Sequence, residues 1–193
     1  MAVRVWLIRH GLTRLGEEKR YQGATDMGLS DKGREALRRA DFSPRQVYVS
    51  PAKRARETAE ILFPTARQIP KEGLWEMNFG VFEGRGWWEM EQDADYRAWV
   101  DGGCEGRCPG GEDRGEFTAR VVAAFREIVE TETDSAELVL VAHGGIQMAL
   151  LGRFGEPARE YYKWQRPCGC GWLLDWDAEE ERLRVLDEVD FLK

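Results

Sequence analysis

Two short apolar runs, each ending in a histidine followed by glycine, constrain the fold of this chain most strongly. Residues 5–8 lead into Arg9-His10-Gly11, and residues 138–142 lead into His143-Gly144. Uninterrupted apolar runs of this length are typical of strands that are buried on both faces, as in parallel sheets. Because ligands bind at the carboxyl ends of such strands, the two runs predict a polar site at one edge of a sheet.

Helix and strand patterns alternate along the first third of the chain. Turn residues precede Ser30, the expected N-cap of a helix that extends to about Ala40. Residues 46–49 form a short strand pattern, and Ser50-Pro51 follows it as the expected N-cap and first residue of a helix to about Phe63. Strands that alternate with helices in this way predict a parallel sheet.

The second half of the chain continues the α/β pattern. Residues 112–131 have the spacing of an amphipathic helix, and residues 172–176 and 182–189 predict two strands around an acidic turn. We therefore expect an α/β fold with a mostly parallel sheet and one antiparallel strand at its edge. Residues 85–111, which are rich in tryptophan and end in Pro109-Gly110-Gly111, are interpreted as an insertion or lid.

Composition restricts the classes of partner. With 193 residues, of which 42% are hydrophobic and 33% charged, the chain is expected to form one domain, residues 1–193, with a sizeable core. The formal net charge of −7 disfavours binding to nucleic acid or to an anionic membrane surface. The sequence has neither a secretory signal pattern nor a run of about 18 apolar residues. We therefore expect a cytoplasmic protein. We also expect it to be a monomer or a homodimer.

Four cysteines form two closely spaced pairs, Cys104 with Cys108 and Cys168 with Cys170. Neither pair has the C-x2-C spacing that is common in zinc sites, and thiols stay reduced in the cytoplasm. We therefore expect separate thiols, with no metal and no cofactor. A zinc site built from both pairs is the alternative hypothesis.

The residues at the expected strand ends have the chemistry of a phosphate site. Arg9 ends the first strand, and Arg54 lies in the first turn of the helix after the second strand. Two guanidinium groups suit a tetrahedral dianion, and the backbone N–H groups at Gly144, where a helix begins, add positive potential. We therefore predict that Arg9, Arg54 and Gly144 bind the phosphoryl group of a small phosphorylated substrate.

His10 and Glu76 complete a candidate catalytic set. A neutral imidazole held against a phosphate can attack phosphorus and form a phosphohistidine, so His10 is the predicted nucleophile. A carboxylic acid must protonate the departing alkoxide and later deprotonate the attacking water. Glu76, in a stretch without clear periodicity, is the predicted acid and base.

Four blocks of the sequence resemble the motifs of the histidine phosphatases, a superfamily with the phosphoglycerate-mutase-like fold. In chain order the blocks are Leu7-Ile8-Arg9-His10-Gly11-Leu12-Thr13, Ser50-Pro51-Ala52-Lys53-Arg54-Ala55-Arg56-Glu57-Thr58-Ala59, Leu74-Trp75-Glu76 with Phe79-Gly80 and Glu83-Gly84, and Val141-Ala142-His143-Gly144-Gly145. The resemblance implies a three-layer α/β/α sandwich and catalysis through a phosphohistidine. It also implies that Glu76 is the proton donor and that His143 stabilises phosphoryl transfer.

Two positions depart from the usual family pattern. The chain has Leu12 where a Glu often stands, and Gly16 where an Asn normally contacts the phosphate. Thr13 is predicted to supply a neutral phosphate contact, with a structural cap as the alternative. Glu83 is expected to support the site indirectly, either by capping a turn or by orienting an arginine.

The segment after Glu76 and the Pro109-Gly110-Gly111 turn look most like the α-ribazole phosphate phosphatases of cobalamin synthesis. We therefore expect hydrolysis of a small phosphorylated metabolite, with α-ribazole 5′-phosphate as a candidate. A phosphoglycerate mutase is one alternative, although mutases carry a longer insertion with adjacent arginines, which residues 85–117 lack. A phospho-ligand binding module with weak catalysis is another, because the Asn-like contact at Gly16 is missing.

Overall fold

The computed structural model describes residues 3–132 and 136–193, in which seven strands form one sheet. The strands are β1 (Val3–Arg9), β2 (Gln46–Val49), β3 (Arg67–Pro70), β4 (Glu137–Ala142), β5 (Gly155–Glu156), β6 (Cys170–Asp177) and β7 (Arg182–Asp190). Their order across the sheet is β3-β2-β4-β1-β6-β7-β5. The two apolar runs that end in histidine are strands, as the sequence predicts, and the structure places them side by side at the centre of the sheet.

The sheet is mostly parallel. Strands β1, β2, β3 and β4 run parallel to their neighbours within this group. The predicted antiparallel strand is β6, which pairs antiparallel with β1 on one side and with β7 on the other. With its hairpin partner β7 it forms the antiparallel side of the sheet, as predicted, and the short β5 follows beyond β7.

Helices connect the strands and cover the sheet. The α-helices are α1 (Arg14–Glu17), α2 (Asp31–Ala36), α3 (Lys53–Leu62), α4 (Ala94–Asp101), α5 (Arg114–Thr131) and α6 (Gly144–Phe154). Short 3₁₀ helices span Glu72–Leu74, Gly80–Phe82, Trp87–Glu89 and Tyr161–Trp164. The predicted loop between β3 and residue 85 is thus a packed connection with two 3₁₀ turns.

Two predicted helix boundaries are corrected by tertiary contacts. Ser30 caps α2 as expected, since its hydroxyl accepts the Gly33 N–H at 3.0 Å. However, α2 ends at Ala36 rather than near Ala40, because Leu37 is extended and bridges to Leu192 near the C-terminus. The prediction that Ser50 caps the next helix is wrong, because α3 begins at Lys53 and the N-cap position is taken by Ala52.

Buried side chains on both faces of the sheet give the fold three layers. Successive residues of a strand point to opposite faces. Leu7 and Leu140 pack on one face in a cluster with residues of α5 and α6. Ile8 and Val141 pack on the other face with residues of α3. No helix in the described ranges is both long and apolar enough to cross a membrane.

Candidate active site

The register of the central strands brings three chain segments to one edge of the sheet. The last residues of β1 and β4 are partners, and the last residue of β2 pairs with the penultimate residue of β4. The residues that follow these strand ends, His10, Ser50 and His143, therefore lie close together. The His10 and His143 rings are 5.1 Å apart between centroids, in an edge-to-face arrangement.

His10 is held as a neutral imidazole of defined tautomer. It is only 7% exposed, and its Nδ1 lies 2.7 Å from the carbonyl oxygen of Gly11. Since a carbonyl oxygen only accepts, Nδ1 carries the proton and Nε2 keeps its lone pair. Burial, with the charges of Arg54 and Arg9, holds the pKa of His10 well below its ordinary value of 6.5. A neutral ring with a free Nε2 is the form in which histidine attacks phosphorus.

Arg54 is fully buried in the first turn of α3. Its Nη1 donates to the carbonyl oxygen of Thr25 at 3.0 Å, and its Nη2 to that of Gly23 at 2.7 Å. Its Nε has no hydrogen-bond partner among the described residues. Loop carbonyls thus orient the guanidinium plane without neutralising its charge.

Arg9 is oriented in a similar way at the end of β1. Its Nη1 donates to the carbonyl oxygen of Arg166 at 2.8 Å, and its Nε is buried without a partner in the described part of the chain. Neither Arg9 nor Arg54 forms an ion pair with a carboxylate there. Two positive charges therefore remain available at the sheet edge, and both contribute to the lowered pKa values of His10 and His143.

Glu76 lies in the connection after β3 and points into the same site. Its Oε1 accepts the Met77 N–H and its Oε2 the Gly145 N–H, each at 3.0 Å. The residue is 9% exposed, and burial raises the pKa of its carboxyl above the ordinary 4.5 even though both hydrogen bonds oppose this shift. A carboxyl group whose pKa is raised gives up its proton less readily than an exposed one, which suits a group that acts as acid and then as base.

His143 is fully buried and is the N-cap residue of α6. Its Nε2 lies 2.7 Å from the hydroxyl oxygen of Ser50, whereas its Nδ1 has no partner among the described residues. Burial and the charge of Arg54 hold its pKa well below 6.5. Ser50 is thus a site residue that the sequence analysis missed, because Ser-Pro before a helix has the same pattern as an ordinary cap.

Gly144 and Thr13 lie at the site in different ways. Gly144 is the first residue of α6, and a Cβ there would crowd the side chains of Gln165 and Arg9. The Thr13 hydroxyl accepts the Gly16 N–H at 3.1 Å. Thr13 is therefore the N-cap of α1, which is the alternative predicted for it. Thr13 also lines the active-site cavity, and its contact with phosphate stays a prediction.

Gln22 is a second residue that the sequence analysis missed. Its Oε1 accepts the Thr13 hydroxyl at 2.6 Å, and its Nε2 is buried without a partner in the described ranges. The side chain lines the cavity beside Gly16, the position at which the family often has an Asn. Gln22 lies in an irregular loop, where neither periodicity nor a turn signal could have indicated it.

Glu83 supports the loop that holds Arg54. Its carboxylate accepts the N–H groups of Ala24 and Thr25, each at 2.7 Å, together with the Thr25 hydroxyl. The carbonyl oxygens of Gly23 and Thr25 are the acceptors for Arg54. Glu83 therefore caps the turn at residues 24–25, and an indirect effect on the orientation of Arg54 stays a prediction.

A cavity of about 290 Å³ opens in front of His10. The polar residues of its lining include Arg9, Gln22 and Glu76. The aromatic residues of its lining are Tyr21, Phe79, Trp99, Phe117, Tyr161 and Tyr162. Trp99 comes from the 85–111 segment and is buried, whereas Trp87 and Trp88 of the same segment are 53% and 42% exposed.

The described residues provide no obvious metal centre. In residues 3–132 and 136–193, no three His, Cys, Asp or Glu side chains are grouped so that they could hold a metal ion. The four cysteines are free thiols, and Cys104 and Cys168 line the cavity. The alternative hypothesis of a zinc site has no support in that part of the chain.

Comparison with known proteins agrees with this geometry. The profile of the histidine phosphatase superfamily (branch 1) matches residues 5–188. The adenosylcobalamin/alpha-ribazole phosphatase of Salmonella typhimurium is 29% identical, over 96% of this chain and 96% of that protein. The alpha-ribazole phosphatase structure from Shigella flexneri superposes with a TM-score of 0.82 and 28% identity, over 95% of this chain and 96% of that one.

A phosphoglycerate mutase structure from Thermus thermophilus is also similar, with a TM-score of 0.72 and 31% identity. This likeness covers 97% of the present chain and 98% of the mutase chain. The family profile and these relatives span almost the whole sequence, including every strand end that carries a site residue. The chain therefore belongs to the histidine phosphatase superfamily, branch 1.

Proposed function

We propose that this protein is a phosphomonoesterase that hydrolyses a small phosphorylated metabolite through a phosphohistidine on His10. One observation carries the proposal: the half-buried guanidinium group of Arg9 and the buried one of Arg54, both without carboxylate partners in the described ranges, lie beside an imidazole whose Nε2 is free. A phosphate dianion satisfies both charges through charge-assisted hydrogen bonds and places phosphorus before the nucleophile.

The first step transfers the phosphoryl group to the enzyme. Nε2 of His10 attacks phosphorus, and the bond from phosphorus to the ester oxygen breaks. Glu76 acts as the acid and gives a proton to the departing alkoxide, a role that the upward shift of its pKa by burial favours. Arg9, Arg54 and His143, with the start of α6 at Gly144, stabilise the charge on the phosphoryl oxygens.

The second step returns the enzyme to its starting state. Glu76 is now a carboxylate and accepts a proton from a water molecule, whose oxygen attacks the phosphorus. The bond between phosphorus and Nε2 breaks, inorganic phosphate leaves, and His10 regains its lone pair. The same carboxyl group is thus acid in one step and base in the next.

The charges and aromatic rings of the cavity lining favour an uncharged, flat leaving group. Besides Arg9, the lining has two cations, Arg20 and Arg114. Arg114 is paired with Glu105 at 2.8 Å, and Arg20 is paired with Glu18 at 2.8 Å. Because both cations are engaged and aromatic rings line the wall, we propose α-ribazole 5′-phosphate, which fits the names of two relatives, as the candidate substrate.

A phosphoglycerate mutase is the second candidate function, favoured by the likeness to the mutase structure from Thermus thermophilus. A mutase must bind a second anionic group. Arg20 and Arg114 already form ion pairs with glutamates, which argues against such a second anion site.

We further propose that residues 85–111 cover the cavity, since Trp99 and Cys104 line it. A cytoplasmic location is consistent with the four free thiols.

A screen of phosphorylated metabolites tests the proposed function. It includes α-ribazole 5′-phosphate and 3-phosphoglycerate, and each reaction is scored for released phosphate and for isomerised product. Phosphate release from α-ribazole 5′-phosphate, without isomerisation of 3-phosphoglycerate, is expected. Isomerisation with little phosphate release would identify a mutase, and binding of substrates without either reaction would identify a binding module.

A further inference from the structure

The hydrogen bond between His143 and Ser50 determines what His143 can offer to a phosphoryl group. Nε2 and the Ser50 hydroxyl oxygen are 2.7 Å apart, and both residues are fully buried. A hydroxyl can donate to an imidazole nitrogen or accept from it. If Ser50 donates, the ring proton of neutral His143 lies on Nδ1, and if Ser50 accepts, that proton lies on Nε2.

The second contact of the Ser50 hydroxyl indicates that this hydroxyl donates its proton to Nε2 of His143. Its hydroxyl oxygen already accepts the Ala52 N–H at 3.3 Å. In the described part of the chain, Nε2 of His143 is the remaining hydrogen-bond partner of this hydroxyl and therefore its available acceptor. If Ser50 also accepted from Nε2, its own proton would be buried without an acceptor, which is strongly unfavourable.

The other ring nitrogen of His143 is ready to donate. Nδ1 is buried and has no partner among the described residues, in a ring next to that of His10. Burial and the charge of Arg54 keep the pKa of His143 low, so the ring carries one proton at neutral pH. A proton on Nδ1 gains its hydrogen bond when an anionic oxygen enters the site.

We infer that Ser50 is a positioning residue that sets the tautomer of His143, so that the Nδ1–H of His143 donates to a phosphoryl oxygen. The identity of that acceptor rests on the proposed function, whereas the tautomer does not. His10 has the same tautomer, but its Nδ1–H is used by the Gly11 carbonyl oxygen. One imidazole therefore presents a lone pair to the phosphate and the other presents a proton.

Nitrogen-15 NMR of the histidine side chains tests the tautomer directly, because the chain has two histidines. Protonated and unprotonated ring nitrogens have well separated shifts, and a His10→Asn variant, which leaves one imidazole, assigns the His143 signals. In the resting protein at neutral pH we expect a protonated Nδ1 and an unprotonated Nε2 for His143. The opposite assignment would overturn the inference.

Titration with inorganic phosphate tests the acceptor. We expect the Nδ1 and proton signals of His143 to shift as phosphate binds, and an unchanged Nδ1 signal at saturation would overturn the donor role. If the tautomer is as expected but a His10→Ala variant keeps full turnover, the proposed function fails and the tautomer assignment stands. The two failures are thus distinguishable.

Substitutions of Ser50 test its positioning role. Ser50→Ala removes the hydroxyl, so we expect the His143 proton to move to Nε2 or to exchange between the nitrogens. With p-nitrophenyl phosphate as substrate, we expect kcat to fall about tenfold or more. In metal sites, removal of the hydrogen-bond partner of a ligating histidine has an effect of this size. Ser50→Thr keeps a hydroxyl and should retain the wild-type tautomer.

Ser30→Ala is the matched control, because it removes a serine hydroxyl that caps α2. It should leave the His143 signals unchanged. An unchanged His143 tautomer in Ser50→Ala would overturn the positioning role, whatever happens to activity. The wild-type spectrum remains decisive if a Ser50 variant fails to fold.

Discussion

The carboxylate of Glu76 accepts the backbone N–H of Gly145 at 3.0 Å, which joins the connection after β3 to the first turn of α6. The two elements are far apart in sequence but meet at the edge of the sheet where His10 lies. A Cβ on Gly145 would collide with this carboxylate, so the contact depends on glycine. The proposed acid is therefore positioned by the first turn of α6, the helix start that is also proposed to contact the phosphoryl group.

Gly145→Ala is expected to displace Glu76 and to lower kcat/KM for an alkyl phosphate by about 100-fold, the scale that follows from misplacing a catalytic group by about 1 Å. Gly106→Ala is the control, because nothing lies within 4 Å of a Cβ at that position. Steady-state kinetics of both variants check the prediction. Equal activity of the two would show that the Glu76 contact is unimportant.

Glu76→Gln should lower kcat/KM much more for an alkyl phosphate than for p-nitrophenyl phosphate. The parameter kcat/KM reports the first transfer step, and p-nitrophenolate leaves with little need of a proton. Glu72→Gln, an exposed change in the same connection, is the control and should behave as wild type. The same fractional loss on both esters would remove Glu76 from the role of acid.

The pH dependence of kcat/KM should show two limbs for an alkyl phosphate. Activity falls at low pH as His10 gains a proton, with a midpoint below 6.5 because the pKa of His10 is lowered. It falls at higher pH as Glu76 loses its proton, with a midpoint above 4.5 because the pKa of Glu76 is raised. Glu76→Gln should flatten the high-pH limb. A low-pH midpoint at or above 6.5 would contradict the account of His10.

Much of the site could be predicted because its signals are local in sequence. Arg9, His10 and His143 each adjoin an apolar run, and such runs become neighbouring parallel strands with their carboxyl ends at one edge. Arg54 follows from its place in the first turn after a short strand. Helices and strands were predicted as the correct type for the same reason, because hydrophobic periodicity can be seen within each segment of the sequence.

The remaining features depend on contacts between distant segments. The Ser50 hydroxyl turns to His143 rather than capping α3, and Leu37 leaves α2 to pair with Leu192. Gln22 enters the site from an irregular loop through its contact with Thr13. None of these contacts has a signal in the local sequence around either residue. They form only in the tertiary structure, so the sequence pattern could not predict them.

Arg54→Lys is expected to weaken inhibition by inorganic phosphate about tenfold or more, since one hydrogen bond to a charged group contributes roughly 1.5–3 kcal/mol. Lysine keeps the charge but lacks the fork that contacts the carbonyl oxygens of Gly23 and Thr25. Arg56→Lys, an exposed change on the same helix, is the matched control. Inhibition constants for the two variants check the prediction, and similar values would argue against Arg54 as a phosphate ligand.

Trapping of a phosphoenzyme tests the covalent role of His10 most directly. In Glu76→Gln, p-nitrophenyl phosphate should still phosphorylate His10, whereas attack by water slows because the base is lost. The phosphohistidine, which survives a quench in base, should therefore accumulate and map by mass spectrometry to the peptide that contains His10. Phosphate on any other residue, or undiminished release of p-nitrophenol when His10→Ala is added to this variant, would contradict transfer through His10.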